Sequence, residues 1–210
     1  DEIITSELEH HSSMLPWLHV SKKTKAKLKY VELDTEGRIT VEAFKKVLSD
    51  KTKVVALTYV SNVMGYITPI KEIIDLAHQK GAIVVVDAAQ AAPHMKIDVT
   101  ALNADFLAFS GHKLCGPTGI GVLYGKRHLL NQMDPIEFGG DMSQTVDKFE
   151  ATWKDAPYRF EAGTPIISGA IGLARALDYI TSIGFDAIHE HVKTLHDYAI
   201  HKLEEVEGIE

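Results

Sequence analysis

The chain is poor in cysteine: Cys115 is the only one in 210 residues. A single thiol excludes an intrachain disulfide framework and suits a reducing compartment, so a cytoplasmic location is expected. Long apolar runs are missing too. The longest, Ala82 to Val86, is far too short to span a bilayer. Residues 1–9 are acidic, which reads as no secretory leader. Basic blocks are confined to the lysines between Lys22 and Lys29, a solvated face, and the net charge is −7. Nucleic acid is therefore not expected as a partner. Two nucleotide signatures fail on spacing. "GVLYGKR" lacks the first glycine of a phosphate loop and has Arg127 where Ser or Thr belongs, and "GPTGIG" is not G-x-G-x-x-G.

What is present is a regular alternation. With 45% hydrophobic residues the chain can bury one large core. Strands are expected at Glu2 to Thr5, Lys27 to Leu33, Lys53 to Tyr59, "AIVVVDA", "ADFLAFS" and "GVLYG". The continuous apolar run of "AIVVVDA" suits a strand buried on both faces. Helices are expected from Ser12 to His19, from Val41 to Ser49 behind a Thr40 N-cap, and from Pro69 to a stop at Gly81. Asp141 to Lys154 reads as an exposed loop or hairpin. From Ser168 two helices follow, broken near Gly184, the second with Ile188, Val192, Leu195, Ala199 and Leu203 on one stripe. The pattern predicts an α/β fold, a mostly parallel sheet with helices on both faces. Its two ends read as cuts through a longer chain.

In such sheets ligands gather at the carboxyl ends of the strands. Three of those ends are polar: "TYVSN" ends at Asn62, "IVVVDAAQ" carries Asp87 and Gln90, and "FLAFSGHK" carries Ser110, His112 and Lys113. A buried lysine loses its charge readily and, as a neutral amine, condenses with an aldehyde. Pyridoxal phosphate needs such a lysine, and a carboxylate beside its pyridine nitrogen to keep that nitrogen protonated. Ser110 and His112 suit its phosphate, and Gln90 and Asn62 its ring hydroxyl.

"SGHK" after "VVVDAAQ", with "EHHSSMLPW", "YVSNVMG" and "RFEAGTP", resembles the cysteine desulfurases of the class V aminotransferase family, fold type I. The subgroup resembled is the one shared with selenocysteine lyases, which serves iron–sulfur cluster assembly. The resemblance implies a homodimer using pyridoxal 5′-phosphate to convert L-cysteine, or L-selenocysteine, to alanine, with sulfur passed as an enzyme persulfide to an acceptor protein. Another class V aminotransferase or lyase, such as a selenocysteine lyase, is the alternative. The resemblance implies that Lys113 bonds the cofactor, that Asp87 pairs with the pyridine nitrogen and Gln90 with the phenolic oxygen. Asn62 is then beside ring hydroxyl and substrate, and Ser110 and His112 hold phosphate. His10 stacks on the ring and moves protons, with His11 as the alternative in register. Thr164 in "FEAGTP" reaches the phosphate of the other subunit. Residues 1–165 then form part of the cofactor domain, and 166–210 are helices leading to a small domain.

The resemblance also exposes departures. The R-x-G-x-x-C loop that carries the persulfide cysteine, the arginine that binds the substrate carboxylate, and an upstream threonine-bearing phosphate loop do not occur in these residues. The segment alone is expected to be inactive. Cys115, in "KLCGP", reads as a small buried side chain rather than the nucleophile. His189 and His191 are two apart on a helix and do not share a face, so they read as surface residues rather than a metal site. Arg159 in "YRFEAG" stands open between an ion-pair partner and a site residue.

Overall fold

The computed structural model describes residues 1–208. Strands β1 (Glu2–Ser6), β2 (Lys27–Val31), β3 (Thr52–Thr58), β4 (Ile83–Asp87), β5 (Phe106–Ser110) and β6 (Gly121–Gly125) form one sheet in the order β2-β1-β3-β4-β5-β6. The first five are parallel, and β6 pairs antiparallel with β5. The reversal follows from length: only residues 111–120 join β5 to β6, too few for the crossover a parallel return needs.

Helices α1 (His11–Thr24), α2 (Val41–Val47), α3 (Ile70–Gln79) and α4 (Val99–Leu102) connect the parallel strands. The expected end signals operate. Thr40 accepts from Ala43 N–H at 3.1 Å to cap α2, and α3 begins after Pro69 and ends before Gly81, at φ +70°. Ile70, Ile73, Ile74 and Ala77 of α3 are buried and join Phe44 of α2 and Val55, Leu57, Val84 and Val86 of the sheet in the main core. The spacing of the α3 set, three and four apart, is what places it on one face.

One expectation is corrected at β4. Its apolar run suggested burial on both faces, yet only Val84 and Val86 are fully buried, while Ile83, Val85 and Asp87 are half-buried. Directly paired residues of neighbouring strands project to the same face. Thr58 pairs with Asp87, and Asp87 with Ala108. The less-covered face is therefore the one bearing Asp87 and, two residues beyond Ala108, Ser110.

The amino ends of β4 and β5 are tied by a different device. Asp105, 5% exposed, accepts from Val84 N–H at 2.8 Å and pairs with Lys126 Nζ at 2.7 Å and His78 Nε2 at 2.8 Å. Burial alone pushes this carboxyl up, but Lys126, the Val84 amide and His78 together hold it below its ordinary 3.8. Asp105→Ala strands an amide and an ammonium group, so urea unfolding is expected to show a loss of about 3–5 kcal/mol. The folded pKa is depressed, so this stabilisation is complete above 3.8 and is lost as pH falls through the folded value. Asp105→Asn and the parent protein should therefore converge in stability on acidification.

Beyond α5 (Arg127–Leu130), β7 (Ser143–Val146) and β8 (Ala151–Trp153) form the expected hairpin, closed by Asp147 Oδ1 accepting from Phe149 and Glu150 N–H. Helices α6 (Ile167–Ile183) and α7 (Phe185–Glu204) break at Gly184, φ +86°. The apolar stripe of α7 is covered only at its start. Phe185 and Ile188 pack on Ala92, Leu114 and Ile180, whereas Val192, Leu195 and Leu203 are exposed. No helix among the described residues is long and apolar enough to cross a membrane.

Candidate active site

Lys113 sits where β5 ends. Ser110 closes the strand, and Gly111–Leu114 make one 3₁₀ turn. The turn then doubles back: Gly116 N–H donates to Gly111 O at 3.0 Å, and Gly111 N–H to Ile120 O at 2.8 Å. A Cβ on Gly116 would stand 2.7 Å from Gly111 O, so only glycine lets the loop close. Leu114, 3% exposed, drops into the cluster with Ala92 and Ile180. With Leu114 inward, Lys113 is left half-buried and His112 exposed. None of the ion pairs among the described residues uses Lys113.

The same turn corrects the reading of Cys115. It is exposed, not buried, because it caps the turn in the left-handed conformation at φ 59° while Leu114 takes the inward place.

Asp87 ends β4 beside Thr58 of β3 and Ala108 of β5. Its Oδ1 accepts from Ala89 N–H at 2.9 Å, which folds the "DAAQ" turn back on the strand end. Gln90, in that turn, lines a cleft of about 390 Å³ with Ser61, Asn62, His94, His189 and Val192. The expected pair Asn62 and Gln90 thus shares one hollow, and His189 joins it. His191 is also exposed, and among the described residues no cluster of His, Cys, Asp and Glu is arranged to hold a metal. A wider depression along Tyr124–Asn131 opens beside Lys126, at the opposite edge of the sheet.

His10 is the N-cap of α1, just beyond the end of β1. Its Nδ1 accepts from Ser12 N–H at 3.2 Å and lies 2.7 Å from Ser12 Oγ. A neutral ring held this way carries its proton on Nε2. His11 is the first helical residue, its ring 6.5 Å from that of His10. Thr164 is exposed ahead of α6, on a segment tied to Gly140 through Gly163 N–H. Arg159 makes no ion pair among the described residues; its Nη1 donates to Asn131 O, and its buried Nε has no partner.

Sequence reasoning passed over Glu9. It is 7% exposed, and its Oε1 accepts from Ser6 Oγ at 2.7 Å and from Thr58 N–H at 3.0 Å. Oε2 lies 3.4 Å from Ser13 Oγ. Burial, reinforced by the negative charge of Asp87, pushes this carboxyl from 4.5 to about 7 against the pull of those hydrogen bonds. The sequence carries a signal for it: like Asp87, Glu9 is an acid close behind an apolar strand, here followed by two histidines.

Comparison with known proteins shows the family and the fold. The chain is 54% identical over 209 residues to a probable cysteine desulfurase of Halalkalibacterium halodurans, and 53% identical over 210 residues to one of Staphylococcus aureus. It covers 52% and 51% of those two proteins, about half their length. Among solved structures, the cysteine desulfurase CsdA of Escherichia coli superposes with a TM-score of 0.96 at 40% identity, over 99% of this chain and 52% of that one. A cysteine desulfurase from Thermococcus onnurineus gives 0.93 at 42% identity, over 98% of this chain and 51% of that one. The class-V aminotransferase model matches residues 1–210, and the chain belongs to that family.

Proposed function

We propose that the full-length protein is a pyridoxal 5′-phosphate-dependent cysteine desulfurase that converts L-cysteine to L-alanine and passes the sulfur to an acceptor protein. The observation that carries this reading is the placement of Asp87 at the end of β4 and of a half-buried Lys113, free of ion pairs among the described residues, just beyond the end of the neighbouring strand β5. The likeness to cysteine desulfurases at 50–54% identity supports the substrate.

The donor set fits the cofactor. One oxygen of Asp87 is engaged by Ala89 N–H, which leaves the other to face a protonated ring nitrogen. Asn62 and Gln90 border one cleft and offer amides to a ring oxygen. Ser110 and His112, at the end of β5, offer a hydroxyl and an imidazole to a phosphate. When bound, pyridoxal phosphate supplies the electron sink that lets a Cα–H bond break.

This chain's residues do the rest. Lys113 would tether the cofactor and, as a free amine, would be placed to take and return the Cα proton. Asp87 would keep the ring nitrogen protonated. His10, its Nδ1 fixed by Ser12, would lie against the bound ring and could donate from Nε2. Thr164, exposed before α6, would serve the phosphate of the other subunit in a homodimer. On this reading the thiol that accepts sulfur is not Cys115, whose "KLCGP" turn lacks the R-x-G-x-x-C context.

The test is direct. Full-length protein with pyridoxal phosphate, L-cysteine and a reductant should release sulfide and alanine in equal amounts over many turnovers. A keto acid in place of alanine would mark an aminotransferase. Turnover with L-selenocysteine alone would mark a selenocysteine lyase.

A further inference from the structure

Glu9 has no part in the chemistry just described, yet it is the most perturbed carboxyl near the site. It joins three elements at one point. Ser6 ends β1, Ser13 lies in the first turn of α1, and Thr58 ends β3; all three contact its carboxyl. His10 follows directly in the chain. Thr58 is in turn the strand partner of Asp87.

We propose that Glu9 is a positioning residue of this site, clamping the His10-bearing turn to the end of β3 and exchanging one proton in the field of Asp87. The proposal rests on reading the site as a pyridoxal pocket. A purely structural clamp would be served by a neutral amide, since a glutamine oxygen accepts the same two hydrogen bonds. A carboxyl here instead costs stability whenever it ionises. The groups facing it are Ser6 of β1, Ser13 of α1 and Thr58 of β3, all neutral, and the charged Asp87 of β4. His10 turns away to Ser12. A second negative charge beside Asp87 strengthens the hold on a protonated ring nitrogen, so ionising Glu9 couples cofactor affinity to pH.

The folded carboxyl titrates near 7 and its ordinary value is 4.5. Its favourable balance is complete below 4.5 and is lost as pH rises through about 7. Thermal melting of the cofactor-free full-length protein should therefore show the parent losing stability relative to Glu9→Gln between those values. Above them the gap should stay constant. Asp87→Asn should move the parent's inflection to lower pH, because the like charge is gone. In pyridoxal phosphate titrations, Glu9→Gln should match the parent at pH 6 and bind several-fold more weakly at pH 8; Glu9→Asp should restore part of the pH dependence.

Parallel melting profiles for the parent and Glu9→Gln would overturn the proton exchange. Equal cofactor affinities at both pH values would overturn its link to the site. If pyridoxal phosphate binds neither protein, the pocket reading fails, and with it the positioning role; melting would then report only a buried acid. If Glu9→Gln does not fold, Asp87→Asn carries the melting test, and an unmoved inflection overturns the coupling.

Discussion

Lys113→Ala in the full-length protein should lose turnover by at least about 10²–10⁴-fold, the range a positioned acid–base group contributes. It should also lose the visible band of lysine-tethered pyridoxal. Two roles converge on one amine, so the variant is expected to bind the cofactor only reversibly, and gel filtration should strip it. The fold should survive. Lys113 is half-buried and free of ion pairs among the described residues, while the turn is held by Leu114 and by the Gly111–Gly116 and Gly111–Ile120 hydrogen bonds. An unchanged melting temperature alongside lost turnover separates chemistry from folding. Arginine should not rescue it, because a guanidinium does not deprotonate at working pH.

Asp87→Asn should be nearly as damaging for a different reason. The amide keeps the shape and can still accept from Ala89 N–H, so the "DAAQ" turn should stay closed. What it removes is the charge that holds a proton on the ring nitrogen. Losing one preorganised electrostatic partner of a transition state costs about 10²–10³-fold in turnover. The loss should fall on kcat more than on KM, since the carboxylate acts on the cofactor ring rather than on bound substrate. Near-parent turnover would remove Asp87 from the proposed role.

Much of this architecture was legible because local signals agreed with the fold. Thr40, Pro69, Gly81 and Gly184 each mark an end in the sequence and in the structure. The strand-end residues Asn62, Asp87, Gln90, Ser110 and Lys113 could be picked out because a parallel α/β sheet directs its carboxyl edge to ligands. What escaped depends on partners distant in the chain. The direction of β6 was set by the length of a loop, and the half-open face of β4 by which helices cover it. Cys115 was misread because one-dimensional pattern cannot tell which of Leu114 and Cys115 turns inward; a single 3₁₀ turn decides. Glu9 follows an apolar strand much as Asp87 does, but its burial also depends on Thr58, 49 residues further along the chain.

On the proposed function, Lys113 is the residue that carries the cofactor. Incubating full-length protein with pyridoxal phosphate, reducing it with borohydride and mapping the peptides by mass spectrometry tests that claim at the level of one atom. The expected result is a single pyridoxyl group on Lys113 Nζ, absent from Lys113→Ala. A label on Lys126 or another lysine with Lys113 unmodified would contradict it.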